Sequence, residues 1–206
     1  MRYTAAVLIF LLVGCVTGGL HYEPPTQRAV TPNFKIVSKS RDQVWAAAIP
    51  TLGKQFYMIN TVDRSSGLVN LSFTAKPTGY IDCGSIEVTI GTGPEASRKT
   101  IDASSAEERY SAPAGGRMHD VWRRMSLEGR VNLIFEEVGS TSTKITANVR
   151  YIVTRTVTVG SVLNTMTHTV SFNSGGGDSF PPTSQNQVVT CVPTGKIEAG
   201  LLALVN

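Results

Sequence analysis

Histidine and cysteine are scarce in this chain, with three of each among 206 residues. Catalysis requires a nucleophile with its base, convergent carboxylates or a set of metal ligands. His168 lies on the apolar face of a predicted strand with no Ser or Cys nucleophile motif beside it. Glu136 and Glu137 are adjacent strand residues, so their carboxylates point to opposite faces. The sequence therefore predicts no catalytic residue, metal site or cofactor, and we do not expect an enzyme.

A large excess of charge of one sign is also missing. The chain has 19 Lys and Arg against 15 Asp and Glu, a formal net charge of +4. It contains no basic run, so the charge pattern gives little support to nucleic-acid binding. The glycine-rich stretches at residues 91–94 and 175–177 lack the features of a phosphate-binding loop, and we expect turns there.

A long hydrophobic run is absent as well, since the apolar stretch from Ala5 to Val13 falls short of the roughly 20 residues that cross a bilayer as a helix. Arg2 precedes it and Gly14 and Cys15 follow it, which is the layout of an export signal. The letters LVGC that end at Cys15 resemble the bacterial lipobox. That resemblance implies a lipidated Cys15 and attachment to a membrane, while an ordinary cleaved signal peptide or a buried cysteine remains open.

On this interpretation the chain has three parts. Residues 1–14 are the signal peptide, residues 15–32 hold the lipidated Cys15 and a flexible tether, and residues 33–206 form a single domain. The tether is predicted from a Gly pair and a Pro pair without apolar periodicity. Val16 stands where the enterobacterial sorting scheme places an Asp for inner-membrane retention, so the expected location is the outer membrane with the domain facing the periplasm.

Cys83 and Cys191 are the two remaining cysteines. In an oxidising periplasm an isolated pair predicts a disulfide, and a bridge over so long a loop stabilises by about 4–5 kcal/mol in the loop-entropy model. Two buried free thiols are the alternative.

Hydrophobic periodicity predicts two helices and about seven strands. Ser40 and Gln43 form a capping box before the first helix, which Pro50 is expected to kink or break near Ile49. Thr194 is expected to cap a closing helix. Residues 34–37 are a candidate short edge strand. Alternation with a period of two predicts strands at residues 58–62, 68–74, 80–90, 131–136, 145–154 and 165–172, and a last strand follows at residues 188–192.

Residues 91–126 lack any period and are predicted to be an irregular insert with one short helix at residues 104–110. A connector of this length is functional or disordered. The fold class is therefore α+β, an antiparallel meander sheet of about seven strands packed against an N-terminal and a C-terminal helix. The order of elements, carried by residues 40–45, 57–73 and the helix after Thr194, resembles the helix-grip lipoprotein domains of the outer-membrane assembly component BamC (NlpB).

Trp122, Arg123 and Arg124 form a mixed aromatic and basic group in this insert, a composition typical of protein interfaces. Trp122 could instead fold back over an edge of the core. The sequence therefore predicts an envelope-anchored structural or assembly component that binds other envelope proteins. The alternative is a carrier or sensor of a lipid-like ligand held between the sheet and the closing helix, in a cavity of the kind that helix-grip sheets enclose.

Overall fold

The computed structural model describes residues 18–26, 32–114, 116–183 and 188–205, so Cys15 and the lipobox lie outside the described residues. The described chain is mostly antiparallel sheet with two short α-helices, an α+β architecture. The strands are β1 (Gly18–Glu23), β2 (Phe34–Val37), β3 (Met58–Asp63), β4 (Leu68–Ala75), β5 (Ile81–Asp82), β6 (Ser85–Ile90), β7 (Ser97–Asp102), β8 (Glu107–Ala114), β9 (Arg117–Gly139), β10 (Ser142–Val159), β11 (Ser161–Asn173), β12 (Asp178–Phe180) and β13 (Val189–Pro193). The helices are α1 (Arg41–Leu52) and α2 (Lys196–Leu204), and a single 3-10 turn covers Gly93–Glu95.

A seven-stranded sheet, here called the main sheet, is the centre of the fold. Its strands lie in the order β11-β10-β9-β4-β3, with β2 also paired to β10 and β8 also paired to β9. The hairpin of β9, with 23 residues, and β10, with 18, runs through its middle. Two three-stranded sheets accompany it, β1-β6-β7 and β12-β13-β5.

Strict alternation gives the main sheet a buried inner face and an outer face that is polar and largely exposed. Along β9 the inner positions Val131, Leu133 and Phe135 are at most 1% exposed, while Arg130 and Asn132 between them are exposed. The same alternation continues along β10, in register with β9. The predicted strand faces at residues 131–136 and 145–154 are therefore confirmed.

Both helices contact inner-face residues of the main sheet. The Trp45 ring of α1 meets the Phe135 ring edge-on at a centroid distance of 5.3 Å. The Tyr151 hydroxyl of β10 donates to the Glu198 carboxylate of α2 at 2.7 Å. The helices thus cover one end of the inner face and leave the outer face open.

Neither helix in the described chain is long and apolar enough to cross a membrane.

The ends of the helices differ in part from the sequence prediction. The Gln43 side chain accepts a hydrogen bond from the Ser40 backbone at 3.1 Å, as a capping box requires. Contrary to the expected break, α1 continues through Pro50 to Leu52, and the missing Pro50 N–H costs the helix one hydrogen bond, the one to the Ala46 carbonyl. The N-cap of α2 is Gly195, in the left-handed region, and not Thr194 as expected. The Thr194 hydroxyl donates to the Gly79 carbonyl at 2.8 Å and accepts a long hydrogen bond from the Lys196 backbone at 3.5 Å.

The predicted disulfide between Cys83 and Cys191 is present, and both residues are fully buried. It joins the junction of β5 and β6 to β13. The single strand predicted over residues 80–90 is two strands that enter different sheets, separated at Gly84. Gly84 has φ +74°, and a Cβ there would lie 2.0 Å from the Glu23 carbonyl oxygen, so only glycine fits this crossing.

Part of the predicted tether is ordered sheet. Residues 18–23 form β1, which pairs antiparallel with β6 from Gly18 opposite Ile90 to Glu23 opposite Ser85. The Tyr22 hydroxyl donates to the Thr190 carbonyl at 3.1 Å. The prediction missed this strand because only two side chains of β1 turn inward, which is too few to show a period. The Gly and Pro pairs at its ends are typical of a flexible segment.

The predicted irregular insert at residues 91–126 is also corrected, since most of it is strand and β8 lies where a short helix was expected. Strand β7 is polar and exposed except for Ile101, and β8 carries Pro113 on an edge. The first part of β9 buries Arg123 between Val121 and Met125. Because Arg123 is charged yet points inward, the hydrophobicity pattern of this part of β9 does not show a period of two.

Candidate functional site

The group predicted as a partner surface is divided between the two faces of the main sheet. Trp122 and Arg124 lie on the outer face of β9, while Arg123 points inward and is 2% exposed. Adjacent residues of a strand point to opposite faces, so the three cannot share one surface. The prediction that Arg123 belongs to the partner surface is therefore wrong.

On the outer face Trp122 lies between two guanidinium groups. Arg109 of β8, its direct cross-strand partner, is 4.5 Å from the ring centroid, and Arg124 is 4.2 Å from it. The indole Nε1 donates to the Glu107 carboxylate at 2.9 Å. Arg109 also contacts Glu107, with a nitrogen to oxygen distance of 3.4 Å. We call these four residues the Trp122 surface.

The outer face continues from the Trp122 surface as a regular polar array. Threonine hydroxyls of β10 and β11 pair directly across the strands at 2.8–3.2 Å; the pairs are Thr154 with Thr169, Thr156 with Thr167 and Thr158 with Thr165. Toward β3 the same face has an open depression of about 510 Å³, bordered by the fully exposed Phe56, by Met58 and by Arg130. The face therefore combines aromatic, apolar and cationic groups that remain exposed.

The inner face on the opposite side of these strands holds Arg123 among backbone oxygens. Its Nη1 donates to the Ala103 carbonyl and contacts the Met125 sulfur at 3.2 Å. Its Nη2 donates to the Asp102 carbonyl at 2.8 Å. The Nε is buried and has no hydrogen-bond partner. A cationic side chain is thus held by dipoles alone.

A second arginine, which the sequence analysis did not single out, is buried beside it. Arg155 of β10 is 3% exposed, donates from Nη2 to the Pro181 carbonyl at 2.8 Å and lies 4.5 Å from the Phe180 ring centroid. Its Nε is also buried without a partner. The signal was available, because Arg155 interrupts the apolar series of β10 at an inward position.

Burial controls the electrostatics of this region. Loss of solvent lowers the pKa of Arg123, and together with the charge of Arg123 it lowers the pKa of Arg155 to about 10. Burial raises the pKa of Tyr110 on β8, while the charges of Arg123 and Arg155 oppose that rise. Arginine side chains stay protonated in proteins, so both are cationic at neutral pH, and the Tyr110 phenol lies near both charges.

The inner face also buries a carboxylate that the sequence analysis missed. Glu198 of α2 is 3% exposed and accepts hydrogen bonds from the Tyr151 hydroxyl and the Ser174 hydroxyl, both at 2.7 Å. Burial, and secondly the bond to Glu198, raise the pKa of Tyr151. These side chains occupy the space between β10 and α2 and fasten the closing helix to the sheet.

The histidines do not converge. His168 is half-buried on the inner face of β11, directly opposite Arg155 in register, and its Nδ1 is buried without a partner. His21 lies on β1 and His119 near the start of β9. Within the described residues no group of three His, Cys, Asp or Glu side chains could hold a metal ion.

Comparison with known proteins adds no relative. No family model, no curated protein and no solved structure matches the chain.

Proposed function

We propose that this protein is an envelope-anchored structural or assembly component that binds another envelope protein through the outer face of its main sheet, centred on the Trp122 surface. The observation that carries the proposal is the outer-face stack in which the half-buried Trp122 ring contacts the exposed Arg109 and Arg124. Trp and Arg are the residue types most enriched where partners bind tightly. The stack also holds the indole in one orientation before a partner arrives, which lowers the entropic cost of binding.

Two further features support this docking function. The helices contact the inner face, so the outer positions of β9 from Arg124 to Arg130 stay exposed to a partner. The buried Tyr151 and Glu198 occupy the space in which a carried lipid would lie, which favours docking over carriage.

The proposed location is the outer membrane, with Cys15 lipidated and the domain facing the periplasm in a helix-grip-like arrangement. The buried disulfide supports an oxidising compartment. A multiply acylated cysteine would hold the protein firmly, because each buried acyl CH₂ contributes about 0.8 kcal/mol. Palmitate labelling should be lost in Cys15→Ser; label retained in that variant would remove the anchor from the proposal.

Docking is tested by photo-crosslinking in intact cells that produce the protein, with the crosslinking group at Ser126, an exposed outer-face position beside Arg124. We expect one dominant adduct with an envelope protein, lost in Trp122→Ala and weakened in Arg124→Ala. Arg150→Ala is the matched control, because Arg150 is exposed on the same face outside the Trp122 surface. An adduct equally strong in Trp122→Ala would place the docking surface elsewhere.

A further inference from the structure

The inner face of the main sheet holds two cations without an anion. Arg123 and Arg155 are 2% and 3% exposed, and neither forms an ion pair with the residues that the structure describes. Buried charges in proteins are normally paired, because removing an ion from water costs several kcal/mol. Among the described residues, the groups that contact the two guanidiniums are main-chain carbonyls, a thioether and an aromatic ring.

The two arginines are close enough to share one ligand. Arg155 pairs with Met125 across β9 and β10, so Arg123 is its diagonal neighbour on the same face. Diagonal neighbours lie about 7–8 Å apart at Cα, well within the reach of two arginine side chains. Tyr110 lies near both charges, and His168 lies directly opposite Arg155 on β11.

Unused hydrogen-bonding capacity is concentrated at this place. The Nε atoms of Arg123 and Arg155 and the Nδ1 of His168 are three of the four buried side-chain N or O atoms without a partner in the described residues. A buried unsatisfied donor calls for an explanation, and a missing ion is one of the standard explanations. Two of these atoms are Nε–H donors of cationic side chains, so the site offers two unused cationic donors to an anionic acceptor.

The nearest carboxylates are engaged elsewhere. Asp102 accepts hydrogen bonds from the Ser104 backbone and hydroxyl at 2.7 and 2.6 Å. Glu108 forms an ion pair with Lys99 at 3.8 Å. Both favour the charged form of Arg123 from a distance, yet neither contacts its guanidinium. Protein carboxylates therefore do not fill the role.

We infer that Arg123 and Arg155 form a binding site for a small oxyanion of the phosphate class, with Tyr110 and His168 at its border. Guanidinium groups bind phosphate through forked hydrogen bonds, and the unused Nε atom completes such a fork with an Nη atom of the same group. Arg155 donates to the carbonyl of Pro181, and Pro181 is exposed. The site is therefore next to solvent on that side.

The test is calorimetric melting of the purified protein in inorganic phosphate, with sodium chloride at equal ionic strength as the reference. At a phosphate concentration about 100 times Kd, the melting temperature should rise by about 5–10 °C. Arg155→Gln should abolish the rise, and Arg150→Gln, an exposed arginine of the same strand, should keep it. A wild-type melting temperature that responds to neither phosphate nor a soluble short-chain phosphatidic acid would overturn the inference, while a response to the lipid alone would assign the oxyanion to a headgroup.

A second measurement covers the case in which Arg155→Gln does not fold. In the wild-type ¹H–¹⁵N spectrum, two arginine Nε–H signals should move when phosphate is added, because the unused Nε–H groups acquire an acceptor. These signals should still be present in spectra of Arg124→Gln and Arg150→Gln. If the only signals that move are those that disappear in these two variants, phosphate binds on the outer face and the buried site is refuted.

Discussion

Arg123 and Arg124 are neighbours in sequence, and the main sheet treats them in opposite ways. Arg124 lies over the Trp122 ring at 4.2 Å on the outer face, with its charge in water. Arg123 is 2% exposed on the inner face and is bound to the carbonyls of Asp102 and Ala103. Side-chain type is the same in both cases. Its position along the strand decides whether an arginine lies on the exposed face, where a partner can bind it, or on the buried face, where its charge needs a binding group inside the protein.

The comparison extends to the whole of the two faces. The inner face is covered by α1, α2 and the smaller sheets, and its polar groups, such as Glu198 and Tyr151, lie in closed contacts. The outer face consists of exposed rows in which threonine hydroxyls pair across strands. A change on the inner face should therefore reduce stability, while a change on the outer face should mainly affect binding.

The largest effect on stability should come from removing the disulfide between Cys83 and Cys191, which joins the junction of β5 and β6 to β13 in the smaller sheets. The double variant Cys83→Ala, Cys191→Ala opens a link across 108 residues. We expect the free energy of unfolding to fall by about 4 kcal/mol, since the unfolded chain regains the entropy of a long loop. Urea denaturation under oxidising conditions measures it.

Reducing agent provides the control for this variant. Wild type should lose about the same stability when reduced, and the double variant should be insensitive to reduction. A wild-type protein equally stable in both conditions would mean that the bridge does not restrain the unfolded chain.

A smaller effect should follow from deleting one hydroxyl on each face. Tyr151→Phe removes a donor from the buried Glu198 carboxylate, which should cost about 1–3 kcal/mol. Thr154→Val removes a hydroxyl of similar geometry from the exposed pair with Thr169, and should stay within about 0.5 kcal/mol of wild type. Equal losses would remove the distinction between the faces.

Tyr151→Phe should also change how the stability of the protein depends on alkaline pH. Burial raises the pKa of Tyr151, so the folded protein keeps this proton while an unfolded tyrosine releases it near pH 10. Stability is therefore complete below pH 10 and falls above it, by up to about 1.4 kcal/mol per pH unit for each such tyrosine. Unfolding curves between pH 9 and 11 should fall less steeply for Tyr151→Phe. Parallel curves would contradict the assignment.

The sequence predicts the centre of the main sheet well, because Val131, Leu133 and Phe135 turn inward in a row and their polar neighbours turn to water. The disulfide also follows from composition, since two cysteines remained once Cys15 was assigned to the anchor. In both cases a local pattern and the final environment agree. Such agreement is the condition under which sequence reasoning succeeds.

The sequence does not predict the edge strands or the buried charges. Strands β1 and β7 place few side chains in the core, so pairing with β6 determines them and no apolar period marks them. Continuing the alternation of β9 back from Val131 would have placed Arg123 inside. The predicted strand stopped at Val131, although the inward positions Gly129, Leu127 and Met125 before it are uncharged and buried. Arg123, the next inward residue, now belongs to the proposed oxyanion site.

Only a small effect on stability should come from Trp122, the residue on which docking depends most. Trp122→Ala removes two exposed cation–π contacts, and such contacts contribute about 0.5–1 kcal/mol each. We expect a loss of about 1 kcal/mol in urea denaturation, with Arg150→Ala as an exposed control near zero. A loss above about 3 kcal/mol would instead be the cost of opening a core. In that case Trp122 would cover the edge of the hydrophobic core, and its effect on a partner would be indirect.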